Sequence, residues 1–138
     1  HYNLGNLLKE LKRFKQALAS YDQAIALKPT LAVAHLNRGV VLRELNQVEE
    51  ALESFEEAIK LKPHYAEAFS NRGLALNELN QLQAAVESYE KAISLSPNVG
   101  EFYYNLGNTL KSQNLLSAAI ECYEKAISIN PKYSFFEL

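Results

Sequence analysis

The sequence predicts an all-α solenoid built from antiparallel helix pairs, about four repeats long. Three observations carry that prediction. Proline occurs at 29, 63, 97 and 131 and nowhere else, and glycine occurs at 5, 39, 73 and 107, with Gly100 the only other glycine. Both series step by 34 residues, and a fixed period of that size marks an array of small stacked units. Within each unit two stretches carry apolar residues at helical spacing, separated by a short polar turn. Small and large residues also alternate at fixed slots, as interlocking helix layers require.

The elements follow in order. Repeat 1 spans 1–31 and lacks the opening of its first helix. Its marker residues are Leu4, Gly5, Leu8, Ala17, Tyr21, Ala24 and Pro29, and its helices are expected over 2–11 and 14–27. Repeat 2, 32–65, places Gly39, Leu42, Ala51, Phe55, Ala58 and Pro63 in the same slots, with His35 four residues before its glycine and helices over 32–45 and 48–61. Repeat 3, 66–99, has Phe69, Gly73, Leu76, Ala85, Tyr89, Ala92 and Pro97, with helices over 66–79 and 82–95. Repeat 4, 100–133, has Tyr103, Gly107, Leu110, Ala119, Tyr123, Ala126 and Pro131, with helices over 100–113 and 116–129. Residues 134–138 read as the start of a truncated fifth helix or as a tail, since Tyr133 matches Leu31, Tyr65 and Val99, two residues after each earlier proline.

The turns have a physical reading. Lys12-Arg13, Asn46-Gln47, Asn80-Gln81 and Asn114-Leu115 separate the two helices of each unit, and asparagine tolerates a left-handed backbone there. Proline ends each unit because the residue before it is pushed out of helical geometry. Thr30 and Asn98 read as N-caps of the next helix, with Glu101 completing a capping box. Gly39 and Ala51 fall where paired helices should touch, and Phe55 or Tyr89 fills the space beside the small residue. A side chain in place of the glycine would overpack that contact at a cost of about 1–3 kcal/mol.

This pattern resembles the tetratricopeptide repeat, and the resemblance covers nearly the whole chain. It implies a right-handed superhelix whose first helices line a concave surface and whose second helices lie on the convex side.

Composition excludes several classes. Fourteen basic and sixteen acidic residues leave a net charge of −2, with no basic stripe for nucleic acid. No apolar run is long enough for a membrane span. The chain opens on His1 within a repeat, which reads as a piece of a longer protein. The single cysteine, Cys122, takes the slot of Ser20, Ser54 and Ser88, so it reads as a small packed residue, and a reducing, cytoplasmic setting fits it. His1 and His35 share a slot with Phe69 and Tyr103, and no two histidines have the spacing of a helical metal site. Glu56–Lys60, Glu87–Lys91 and Glu121–Lys125 are expected to pair along the outer helices. No catalytic, cofactor or metal site is expected, and any catalytic domain would lie outside these residues.

The working surface is expected on the first helices, at positions −6, −3, −2, +1, +4 and +5 from each glycine. Asparagine recurs two before the glycine, as Asn3, Asn37, Asn71 and Asn105. Asn6, Val40, Leu74 and Asn108 follow the glycine; Tyr2, Leu36, Ser70 and Tyr104 precede it by three; Lys9, Arg43, Asn77 and Lys111 follow it by four. An amide offers both donor and acceptor, so a spaced row can hold the main chain of an extended peptide. The row is similar to the asparagine ladder of O-linked N-acetylglucosamine transferases, a likeness carried also by Gly5-Asn6-Leu7-Leu8-Lys9 and Gly107-Asn108-Thr109-Leu110-Lys111. The family's clamp for chaperone C-terminal carboxylates fails here: Tyr2, Glu67 and Asn71 stand where lysine, lysine and arginine are needed, and only Asn6 and Asn37 match. Arg38 and Arg72, which replace the usual leucine before the glycine, either snorkel from the packing face or reach the groove, and they are candidates for an acidic contact in the central repeats. The reading is a non-catalytic module that binds an extended peptide through Asn3, Asn6, Lys9, Asn37, Arg43, Asn71, Leu74, Asn77, Tyr104, Asn105, Asn108 and Lys111. Alternatives are the substrate-recruiting part of a glycosyltransferase-type enzyme and a scaffold that associates end to end.

Overall fold

A computed structural model describes residues 1–136, with side chains through Ser134. Among the described residues all regular structure is helical. The α-helices are α1 (Tyr2–Glu10), α2 (Phe14–Leu27), α3 (Ala32–Glu44), α4 (Val48–Leu61), α5 (Ala66–Glu78), α6 (Leu82–Leu95), α7 (Gly100–Ser112) and α8 (Leu116–Ile129), followed by a 3₁₀ segment, Pro131–Phe136. Each odd-numbered helix packs on the even-numbered helix after it, and each even-numbered helix packs on the next odd one.

The second helices begin and end where the sequence places them. The first helices end one residue early because the turn starts sooner. Lys12, Asn46, Asn80 and Asn114 all have φ near 60°. In the second repeat Gln47 N–H donates to Leu42 O at 2.8 Å and Asn46 N–H to Arg43 O at 3.0 Å. This is the Schellman closure, in which a left-handed residue satisfies the last carbonyls of a helix.

Two local expectations are corrected. The helices after the prolines are capped at Leu31, Tyr65 and Val99, with no side-chain cap bond, so Thr30 and Asn98 lie one residue outside the cap and Asn98–Glu101 is not a capping box. Burial takes the cap position instead: Tyr65 packs against the Leu36–Phe55 core and beneath Lys62 Nζ, 4.4 Å from its ring centre. The pairs Glu56–Lys60, Glu87–Lys91 and Glu121–Lys125 form no ion pair. Glu56 turns instead to Arg72 of the next repeat at 3.6 Å. An exposed lysine gains too little from such a pair to hold its long side chain in one geometry.

The core is a continuous seam between layers. Ala17, Tyr21, Val41, Leu42, Ala51, Phe55, Ala75, Ala85, Tyr89 and Ala92 are all buried. The four periodic glycines have ordinary negative φ, so their purpose is contact. A Cβ on Gly5, Gly73 or Gly107 would stand 2.7 Å from Cε1 of Tyr21, Tyr89 or Tyr123, and one on Gly39 would run into the Phe55 ring. Gly100, outside the period, faces Tyr133, whose Cε2 would lie 3.0 Å from an added Cβ.

Residues 131–136 include only part of the 134–138 stretch expected as a fifth-helix start or a tail. They form the 3₁₀ segment, and Tyr133 folds back to stack on Tyr104 with ring centres 5.2 Å apart. The side chains of Phe135, Phe136 and Leu138, the apolar residues of that stretch, lie outside those described.

Candidate functional site

Successive first helices touch one another, α1 on α3, α3 on α5 and α5 on α7, while no contact of that extent joins successive second helices. The first helices therefore form the inner side of the curve. The side chains at −6, −3, −2, +1 and +4 from each glycine recur on these helices, and their exposure decides which are available.

Much of that face is spent holding repeats together. Asn37 Nδ2 donates to Tyr2 Oη at 2.9 Å and to Asn6 Oδ1 at 3.4 Å, while its Oδ1 accepts from Lys9 Nζ at 3.1 Å. Asn6 Oδ1 also accepts from Tyr21 Oη at 2.6 Å, and Asn108 Oδ1 from Tyr123 Oη at the same distance. Burial pushes the Tyr21 hydroxyl up to about 12, with Tyr2 and Glu10 adding to the shift. Where the first helix of the repeat offers no asparagine after its glycine, the core changes to suit: repeat 2 has Val40 packed on the cluster that holds Phe55. Repeat 3 pairs Leu74 with Tyr89, whose hydroxyl bonds to Thr109 instead.

The position four after the glycine reaches the next repeat throughout. Lys9 meets Asn37, Arg43 Nε pairs with Glu78, and Asn77 Oδ1 accepts from Thr109 Oγ1 at 3.0 Å. Lys111 is exposed. Of the asparagine row, Asn3 is exposed and Asn71 is half-buried without a hydrogen bond to any described residue. Asn105 is 9% exposed and its Nδ2 is sealed without a partner. The expectation that each of these amides stands free to meet a ligand is thus corrected for Asn37 and Asn105. Packing between repeats consumes the first and encloses the second.

Of the two places open to Arg38 and Arg72, both take the packing face and point to the second helices. Arg38 donates through Nε to Asp22 Oδ1 at 2.6 Å and through Nη1 to Ser54 Oγ at 2.7 Å. Arg72 donates to Ser88 Oγ at 2.6 Å and lies beside Glu56. Ser54 and Ser88 are therefore the arginines' acceptors. In repeat 4 both partners change together: Leu106 replaces the arginine, Cys122 replaces the serine, and both join an apolar cluster with Leu110 and Ala119. Burial raises the Cys122 thiol, with Glu121 and Glu90 adding to the effect. In the sequence this linkage shows as slots sixteen residues apart, arginine with serine in repeats 2 and 3 and leucine with cysteine in repeat 4, while repeat 1 sets Leu4 opposite Ser20. His35 and Tyr103, sharing a slot, each bond the carbonyl of the preceding unit's proline, Pro29 at 3.0 Å and Pro97 at 3.1 Å.

One opening breaks the packed inner face. A cavity of about 360 Å³ lies between repeats 3 and 4, lined by Glu67, Ser70, Asn71, Ser96, Glu101 and Phe102 among others. No helix is long and apolar enough to cross a membrane among the described residues.

An array of four such helix pairs, closed by left-handed turns and periodic prolines, defines an α-solenoid of interaction-module type. The family model for the tetratricopeptide repeat matches residues 100–133, and a second, described as TPR repeat, matches 5–45, 39–79 and 73–114. The chain belongs to the tetratricopeptide-repeat family. No curated protein sequence matches it. Among solved structures it is similar to MamA, at 28% identity over 95% of this chain and 77% of that one, with a TM-score of 0.86. A MamA fragment from Desulfovibrio magneticus RS-1 gives 26% identity, 95% and 74% coverage, and a TM-score of 0.87. The first TPR of Spaghetti (RPAP3), solved with a bound HSP90 peptide, gives 25% identity, 82% and 90% coverage, and 0.80.

Proposed function

We propose that this module binds an extended segment of a partner protein along the inner face of its first helices, without catalysis of its own. The observation that carries the reading is the open part of that face in repeats 3 and 4. There Asn71 keeps an unbonded amide, Leu74 stays half-buried, Lys111 is exposed, and the cavity beside Asn71 breaks the wall. An extended backbone needs paired donors and acceptors, which a free amide supplies. The RPAP3 relative shows that a solenoid of this shape can hold a peptide. The peptide class should differ, because Glu67 and Glu101 put negative charge where a chaperone tail brings its own. A row of four equivalent asparagines is not part of this reading, and the weight falls on Asn71, with Asn3 at the far end.

Selection of a random-peptide display library on the whole chain tests this. Binders are expected, and Asn71→Ala with Lys111→Ala should weaken them while Glu53→Ala and Glu87→Ala on the outer helices do not. Binders indifferent to the inner pair, or submicromolar affinity for an acidic chaperone-tail peptide that amidation of its C-terminus abolishes, would overturn it.

A further inference from the structure

The cavity between repeats 3 and 4 is lined by small residues, Ser70, Ser96 and Val99, where the preceding junction has Leu36, Lys62 and Tyr65. The slot three before the glycine holds Tyr2, Leu36 and Tyr104 in the other repeats, and Ser70 here. Leu36 is buried and fills the matching space between repeats 2 and 3. Ser70 leaves it empty.

The lining is rich in acceptors. Ser70 is 4% exposed, yet its hydroxyl bonds to no described residue. The sealed side-chain atoms without partners among the described residues are Asn105 Nδ2 and Gln113 Oε1, so the Ser70 oxygen opens onto the cavity. Asn71 adds an unbonded amide and Ser96 a hydroxyl. Glu67 and Glu101 stand at its rim, and neither forms an ion pair, although Asp22, Glu56 and Glu78 elsewhere all do. First-turn acids favour their helix dipoles, which accounts for two glutamates but not for an empty, unsatisfied polar space between them. The equivalent slot in repeat 2 is Val33, so the acidic pair is confined to this cavity. No lysine or arginine lines the space, so its charge is negative and disfavours an anion.

The geometry points to a subsite for a basic side chain, lysine or arginine, of the bound segment: its stem lies against Phe102 and Val99, and its cationic head donates to Glu67, Glu101, Ser70 and Asn71. An ammonium offers three donors and a guanidinium five, to be met by the two carboxylates, the hydroxyl oxygens and the Asn71 carbonyl oxygen of this wall. This rests on the peptide-groove reading and adds the chemistry of one peptide position.

The test compares display-library selections on the wild-type chain, on Glu67→Gln/Glu101→Gln, and on Ser70→Leu, which installs repeat 2's own residue. Wild type should enrich lysine or arginine at one fixed position. Both variants should lose that enrichment, and a selected basic peptide should bind about tenfold more weakly to either at low salt. Unchanged far-UV circular dichroism and melting temperature would separate this from misfolding. Peptides selected without a fixed basic position, or with one that survives both variants, overturn the subsite and leave the groove reading standing. If no peptide is selected, the groove reading fails, and the subsite is decided separately by nuclear magnetic resonance titration. Nα-acetyl-lysine amide should then move the Ser70 and Asn71 signals while Nα-acetyl-norleucine amide does not. Equal or absent shifts overturn it.

Discussion

Replacing Gly73 by alanine reverses the usual sign of a helix substitution. In a solvent-facing helix interior, Gly→Ala gains up to about 1 kcal/mol. Here the new Cβ would stand 2.7, 2.8 and 2.9 Å from Cε1, Cζ and Cδ1 of Tyr89, where ordinary contact begins at 3.4 Å. The ring would have to retreat by 3.4 − 2.7 = 0.7 Å. Tyr89 is 1% exposed and shares a cluster with Leu76, Ala85 and Leu110, so it has little room to do so. Overpacking of this kind costs about 1–3 kcal/mol. Set against the helix gain, the net loss is about 1 kcal/mol, or about 4 °C in melting temperature for a chain of this length. Urea unfolding followed by circular dichroism should show a lower midpoint at unchanged slope. In a Tyr89→Leu background, the same Gly73→Ala change should become neutral or stabilising. A rise in the wild-type midpoint, or an equal loss in both backgrounds, would refute the contact account.

Arg72→Leu should destabilise by about 1–3 kcal/mol, because it leaves the buried Ser88 hydroxyl without its partner. Adding Ser88→Cys, which reproduces the Leu106/Cys122 pair of repeat 4, should recover most of that loss in the same urea assay. Alkaline titration should unfold the array: Tyr21 and Tyr65 are pushed up to about 12 by burial, and Tyr89 is shifted further in the same direction. A folded pKa above the unfolded value of 10.0 gives stability that is complete below pH 10 and lost as pH rises towards 12. Melting temperatures that stay level across that window would contradict it. The exposed Leu4, Leu7 and Leu11 of the first repeat and Leu115, Leu116 and Ile120 of the last should support end-to-end association. Light scattering should show mass rising with concentration and falling on Leu7→Glu, whereas a strict monomer at high concentration would count against it.

The period was enough to read the fold, because proline, glycine and the left-handed turn residues act locally and recur at fixed spacing. The site was less legible. Sequence places Asn37, Asn71 and Asn105 in equivalent slots, but their fates depend on neighbours in the adjacent repeat. Tyr2 and Lys9 engage Asn37, whereas Asn71 has no such partners. The sequence leaves Arg38 and Arg72 open to the packing face or the groove, because their acceptors, Ser54 and Ser88, lie sixteen residues away on another helix. The cavity beside Ser70 was visible only as one small residue in a slot otherwise filled by leucine or tyrosine.

The most direct test of the groove itself is residue-resolved. The isotope-labelled chain would be titrated with the strongest peptide from the display selection, and backbone and side-chain amide signals followed. The account predicts shifts concentrated on Asn71, Leu74 and Lys111 along α5 and α7, with α4 and α6 left unmoved on their outer faces. Shifts centred on those outer faces, or on Leu115 and Ile120 at the end of the array, would contradict it.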